Sequence, residues 1–224
     1  MARKQYSRLL ETLFLLSAVL TIAVLAVDVH SIKAEIVSSG AGVVQGRVVT
    51  SREVQIQTLL ESALNGGAKN FQILALDSKA FAKAVQETLL ESVVSLEAQN
   101  FNVVQVSPEE ISAAHKKVLK VLKGTSAWKK LEVSSTELEK GIQRKLQAKK
   151  FVQLRAQSSV LPVTDSEAQK YFNENRLKFG TLPFENFKEN IKSYLSRTQV
   201  DQRLKDWYDV LLSKYQVKSL IAEM

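Results

Sequence analysis

Hydrophobic positions recur with a helical period over most of this chain and give way to short β-branched runs at two places. Between Ile36 and Leu60 the order is IVSSGAGVVQGRVVTSREVQIQTLL. Val43-Val44 and Val48-Val49 flank Gln45-Gly46. This predicts a tight hairpin, because a primed two-residue turn needs positive φ and glycine supplies it. Thr50 stands three residues before Glu53, a capping-box spacing, and Val54, Ile56, Leu59 and Leu60 follow. The segment therefore reads as strand, turn, strand, N-cap, helix.

Further helices follow from the same logic. Asp77 is placed to cap a helix starting at Ser78, whose stripe is Phe81, Val85, Leu89, Val93 and Leu96, ending near Asn100. Phe101 to Val106 has the composition of a short strand. Ser107-Pro108-Glu109-Glu110 combines a cap, a proline at the first helical position and acids at the positive helix end. Ile111, His115, Val118 and Leu122 share the face of that helix, and Lys123-Gly124 closes it. A third box, Ser134 with Glu137, opens a helix carrying Leu138, Ile142, Leu146 and Val152 as far as Gln157. Gly141 lies inside it, either for a close helix contact or for nothing. Pro162 breaks the chain, and Thr164 with Glu167 makes a fourth box before Ala168, Tyr171, Phe172, Asn175 and Phe179. After a break at Gly180 to Pro183, the apolar spacing predicts one long helix from about Phe184 to Lys214. Gln216 to Ile221 is extended. The expected fold is mainly α, with a small sheet in which the hairpin meets the C-terminal strand, since neither β segment is stable alone.

Composition narrows the picture. Only 3 prolines and 8 glycines occur in 224 residues, which favours long regular elements. The absence of cysteine rules out disulfides and thiol chemistry. Near the N-terminus, Arg3, Lys4 and Arg8 precede a charge-free run from Leu13 to Val27. Its 15 residues are fewer than the roughly 20 of a perpendicular membrane helix, and the arrangement is that of a signal peptide. Cleavage after Ala26 or Ala34 is one outcome; an uncleaved membrane anchor through residues 9–27 is the other. Export without disulfides points to a bacterial envelope. The net charge of +8 admits nucleic acid, anionic lipid or acidic polypeptide as partners. The basic residues are spread along helical faces, including Arg144, Lys145, Lys149 and Lys150, and no nucleic-acid motif is present.

The search for catalytic groups returns little. With no cysteine and only His30 and His115, neither a Cys-His pair nor a multi-histidine metal site is available. His115 sits on an apolar stripe and reads as a partly buried structural histidine. No P-loop and no G-x-G-x-x-G occurs. The expectation is a binding protein, not an enzyme, with no cofactor.

Several stretches in order resemble the SurA-like periplasmic chaperones, in their N-terminal helical domain. They are the valine-rich hairpin into "V-V-T-S-R-E-V", "L-L-E-S-V-V-S-L-E-A-Q-N-F-N-V-V-Q-V-S-P-E-E-I", "P-V-T-D-S-E-A-Q-K-Y-F-N-E-N-R-L-K-F" and "P-F-E-N-F-K-E-N-I-K-S-Y-L". Gln45 stands where that family has Asn, and Ser38 to Gly42 is looser than its pattern. The resemblance implies that Phe101 to Val106 is a loop. It also implies a linker-type helix and a returning helix around a parvulin module. Only three residues separate Phe179 from Pro183 here, so the isomerase activity is not carried over. It implies one domain over residues 35–224, with core helices in 35–162 and the linker helix, returning helix and closing strand in 163–224. The implied location is the periplasm of a Gram-negative bacterium. The implied partners are unfolded or partly folded envelope proteins, with no nucleic acid. Phe71 and Ile73, beside Gly66-Gly67, are the candidate client contacts; the competing reading is that they staple the first helix to the second. A structural or interaction protein of the envelope with one dedicated partner is the alternative function.

Overall fold

The computed structural model describes residues 38–66 and 71–221. The expected signal or anchor, its two cleavage points and the glycine-linker residues 67–70 lie outside them. The chain enters the fold at Ser39. Its N–H donates to Ser51 Oγ (2.9 Å), and its carbonyl accepts from the Ser51 N–H (2.7 Å). Strand β1 (Gly40–Val44) turns through Gln45-Gly46 into β2 (Arg47–Thr50). The turn residues have φ of 50° and 81°, the left-handed pair of a type I′ turn. A short β3 (Lys218–Ser219) pairs antiparallel with β1, giving the order β2-β1-β3. The hairpin and the C-terminal tail thus meet as the sequence predicts. The strand begins earlier than its valines, and the glycines are the reason. A Cβ on Gly42 would lie 2.7 Å from Leu89 Cδ2 and 3.0 Å from the Lys218 carbonyl oxygen. The loose Ser38 to Gly42 run is what lets β1 lie against a helix and a strand at once.

Among the described residues seven α-helices follow: α1 (Ser51–Asn65), α2 (Lys79–Phe101), α3 (Pro108–Leu122), α4 (Ser126–Leu131), α5 (Ser135–Ser158), α6 (Asp165–Glu174) and α7 (Lys188–Lys214). Three of the four expected capping boxes close in both directions, at Ser107/Glu110, Ser134/Glu137 and Thr164/Glu167. The fourth is half-formed. Thr50 accepts from the Glu53 N–H, but the Glu53 carboxylate turns to Arg47 and Arg144 instead of to the cap backbone. At α2 the cap is Ser78, not Asp77, and the helix starts one residue later than expected. Phe101 ends α2 and Asn102 takes the left-handed cap, so Phe101 to Val106 holds no strand. Helix α4 was invisible to periodicity because six residues cannot show it. Thr125 caps it, accepting from the Trp128 N–H.

Two cores lie on either side of α1. Val54 joins the sheet residues Ala41, Val44 and Val49, the α2 stripe from Phe81 to Val93, and Leu211 and Tyr215. Ile56, Leu59 and Leu60 join Val118 and Leu122 of α3, Trp128 of α4 and Ile142 of α5. Gly141 marks the closest crossing: a Cβ there would stand 2.9 Å from Leu60 Cδ1. A third, smaller core of Ala168, Phe172 and Ile191 ties α6 to the first turns of α7. The single long helix expected from Phe184 is in fact a 3₁₀ turn, Phe184–Asn186, followed by α7 after Phe187. The i,i+3 eclipse of a 3₁₀ turn stacks Phe184 and Phe187 on one side. Both then reach Phe172, at ring-centroid distances of 5.6 and 6.3 Å. Helix α7 itself runs 27 residues, about 40 Å, and returns to the main core at Leu211.

Candidate binding groove

Helix α2 carries two apolar stripes. Phe81, Val85, Leu89 and Val93 are buried with the sheet core. One position further round, half-buried Leu90 and buried Val94 pack on the same core and also border a groove of about 650 Å³. Its other walls come from Leu64 at the end of α1, Ala113-Ala114 of α3, Leu146 and Val152 of α5, and Tyr208 of α7. The two alanines leave the space: a larger pair on α3 would fill the gap facing Leu90. This volume suits one small ligand or a few side chains of a longer one.

One margin of the groove is charged and internally neutral. Lys145 Nζ lies 2.8 Å from Glu61 Oε2 and 2.5 Å from Glu91 Oε2. Burial works to lower the Lys145 pKa, but Glu91 and Glu61 outweigh it and hold the ammonium above its ordinary value. The chain of alternating charge continues inward. Glu91 Oε1 is 3.5 Å from Arg144 Nε, Arg144 Nη1 is 2.6 Å from Glu53 Oε1, and Glu53 Oε2 is 3.0 Å from Arg47 Nη1. The Gln57 amide bridges the same groups, its oxygen 2.7 Å from Arg144 Nη2 and its nitrogen 3.2 Å from Glu91 Oε1. Burial alone would raise the Glu53 pKa; Arg47 and Arg144 reverse that and hold it below the usual carboxylate range. Six groups of alternating sign thus seal the α1–α2–α5 seam.

A second apolar surface lies where α5 passes into α6. Val160 and Leu161 are 55 % and 49 % exposed. With Pro162, Val163 and Val200 they line a shallow groove of about 620 Å³, with Lys192 and Arg197 at its rim.

The expected client contacts, Phe71 and Ile73, do not line either groove. Phe71 and Ile73 are half-buried and pack on the core of Ile56, Leu59 and Val118. Their segment is fastened by Gln55, whose amide donates to the Leu74 carbonyl (2.7 Å) and accepts from the Leu74 N–H (2.9 Å). The segment packs on α1 and α3. His115 is half-buried on α3, and its Nε2 is enclosed without a hydrogen-bond partner. Among the described residues no three His, Asp or Glu side chains converge as a metal ion requires, and no helix is long and apolar enough to cross a membrane. The groove was missed in sequence because its walls come from five helices. Its only trace was Ala113-Ala114 on an otherwise amphipathic helix.

No protein-family model matches this chain, and no curated protein is similar to it.

Proposed function

We propose that this protein is a periplasmic holdase-type chaperone without isomerase activity, binding unfolded outer-membrane or envelope polypeptides. The observation that supports it is the groove between α2, α3 and α5. Leu90, Ala113, Leu146 and Val152 line its apolar floor, with the Lys145–Glu61–Glu91 cluster paired along one margin and Lys117 and Lys149 on the lining beside it. An aromatic or branched side chain of an unfolded polypeptide loses water on entering such a floor. Binding the unfolded form alone lowers its free concentration and with it the rate of aggregation. The Val160–Leu161 surface offers a second contact for the same chain, and two weak contacts on one polypeptide reinforce each other. The order of elements, a hairpin closed by a C-terminal strand around long helices, agrees with the SurA-like resemblance of the sequence. The cell-envelope setting is carried by the N-terminal segment.

The test is a photoreactive side chain at Ala113, in the groove, and another at Gln72, beside the earlier candidates. Many unfolded envelope polypeptides trapped from Ala113 and few from Gln72 would agree with the proposal. One stoichiometric folded partner at Ala113 would assign the groove instead to an envelope protein with a dedicated partner.

A further inference from the structure

Between Glu110 and Glu132 the chain carries six lysines and no acid. Lys116, Lys117 and Lys120 are on α3, Lys123 follows it, and Lys129 and Lys130 are on α4; all six are exposed. At 100° per residue, Lys116, Lys120 and Lys123 fall within about 60° of one another. They lie opposite the buried Val118 and Leu122. Glu109 shares that face two turns earlier. Lys117 stands aside and donates to the Leu64 carbonyl. Five lysines elsewhere meet acids: Lys145, Lys150, Lys188, Lys192 and Lys214 each have a carboxylate within 2.8 Å. Among the described residues Lys116, Lys120, Lys123 and Lys129 have none. The four form a patch of like charge, with Glu109 at its edge.

Its position in the fold gives it a partner. Arg52 reaches from the first turn of α1 to the end of α4, donating to the Leu131 carbonyl from Nε (2.9 Å) and Nη2 (2.7 Å) and to the Glu132 carbonyl from Nη2 (3.2 Å). Its neighbour Ser51 holds Ser39. The lysine-bearing α4 therefore lies beside the point where the chain enters the domain. Upstream of that point, residues 13–27 carry no charge. The 11 residues from Asp28 to Ser38 span at most about 40 Å. A segment seated in a bilayer would keep the lysines within reach of its headgroups, at the high effective concentration of a short tether.

We propose that the α3–α4 lysine surface docks on the anionic headgroups of the membrane that the N-terminal segment enters, holding the domain against the bilayer. The attraction is electrostatic and short-ranged. Each lysine near an anionic bilayer contributes roughly fivefold to binding at moderate salt. The proposal rests on membrane association of residues 9–27 and is independent of what the groove binds.

The test uses the full chain reconstituted through its own N-terminal segment into vesicles of phosphatidylcholine, with or without phosphatidylglycerol. The chain has no cysteine, so Ser126→Cys at the start of α4 carries a fluorophore, and Ser166→Cys on α6 carries the comparison label. The expected result is protection from an aqueous quencher at position 126 only, and only with phosphatidylglycerol. K116Q/K120Q/K123Q lowers the docking constant roughly a hundredfold and removes the protection, with the helical circular dichroism retained. Raising salt from about 0.1 M to about 1 M shortens the screening length from about 10 Å to about 3 Å and removes it without any substitution. Equal quenching at 126 in both vesicles, or equal protection at 126 and 166, would overturn the proposal. So would release of the 126 label into the aqueous quencher by duplex DNA at a tenth of the lipid charge concentration, which would mark the surface as nucleic-acid-binding.

Discussion

The Tyr215 hydroxyl donates a 2.6 Å hydrogen bond to the carboxylate of Glu97, a residue only 6 % exposed. Lys214 Nζ lies 2.6 Å from the same oxygen, and Asn100 Nδ2 donates to the Tyr215 hydroxyl at 2.8 Å. The Tyr215 carbonyl accepts from the Gln45 N–H of the hairpin turn (2.8 Å). One residue at the end of α7 therefore fastens α2 and the hairpin turn.

Tyr215→Phe removes both hydroxyl bonds and leaves the Glu97 carboxylate with Lys214 alone. Bonds to a charged group are worth about 1.5–3 kcal/mol, so a loss of that size in urea unfolding is expected. Glu97→Ala should cost a similar amount. The double variant should cost clearly less than the two added, because the pair shares one network. Additive costs would show that the bond contributes little.

Acid should weaken the fold in a defined window. The Arg52 hydrogen bond and the Ser134 backbone hold the Glu137 pKa down at about 2, against an ordinary 4.5. Burial would raise the Glu97 pKa, but the Lys214 and Tyr215 bonds prevail and lower it. Glu53 is lowered as well. A group with a depressed folded pKa stabilises fully above its unfolded value and loses that contribution as pH falls through the folded one. The melting temperature should therefore be level above about pH 5 and decline from pH 4.5 towards pH 2, and Glu137→Gln should make the decline shallower. A melting temperature rising across that interval would contradict the assignment.

Two substitutions test backbone geometry in opposite directions. Gln45 has φ of 50° in a type I′ turn, a conformation Asn adopts more readily. Gln45→Asn should stabilise by about 0.5 kcal/mol. Gly141→Ala gains up to about 1 kcal/mol of helix propensity. Its Cβ would also stand 2.9 Å from Leu60 Cδ1 and 3.0 Å from Gln57 Nε2, so both side chains must shift, and overpacking costs about 1–3 kcal/mol. A net loss of about 1 kcal/mol is expected, and a net gain would show that the α1–α5 crossing has slack.

Prolyl isomerisation should be absent. Gly180 takes φ of 61° in a short link between α6 and the 3₁₀ turn, and the chain has no room there for a further module. Exchange in a proline-containing peptide should keep its uncatalysed rate at catalytic amounts of the full chain.

Elements were legible where both partners of an interaction are near in sequence. Ser107 with Glu110, Ser134 with Glu137 and Thr164 with Glu167 are local reciprocal bonds, so spacing revealed them. The hairpin was legible because Gln45-Gly46 states its own φ requirement. Thr50 with Glu53 misled because the Glu53 partner, Arg144, is 91 residues away. The break at Phe187 was hidden because its cause is aromatic packing on Phe172. The groove was hidden for the same reason: Leu90 and Val94 have no lining role until α3, α5 and α7 stand around them.

The central claim, that the groove holds unfolded polypeptides, is tested most directly by light scattering. An unfolded outer-membrane protein is diluted from denaturant with a near-stoichiometric amount of the full chain, at low and at moderate salt. The account predicts delayed aggregation at both, since apolar contact is not screened where the Debye length is about 8–10 Å. It also predicts loss of the delay in Ala113→Glu, which sets a charge on the apolar floor from an exposed position. An undelayed time course with the unsubstituted chain, or a delay unchanged by Ala113→Glu, would contradict it.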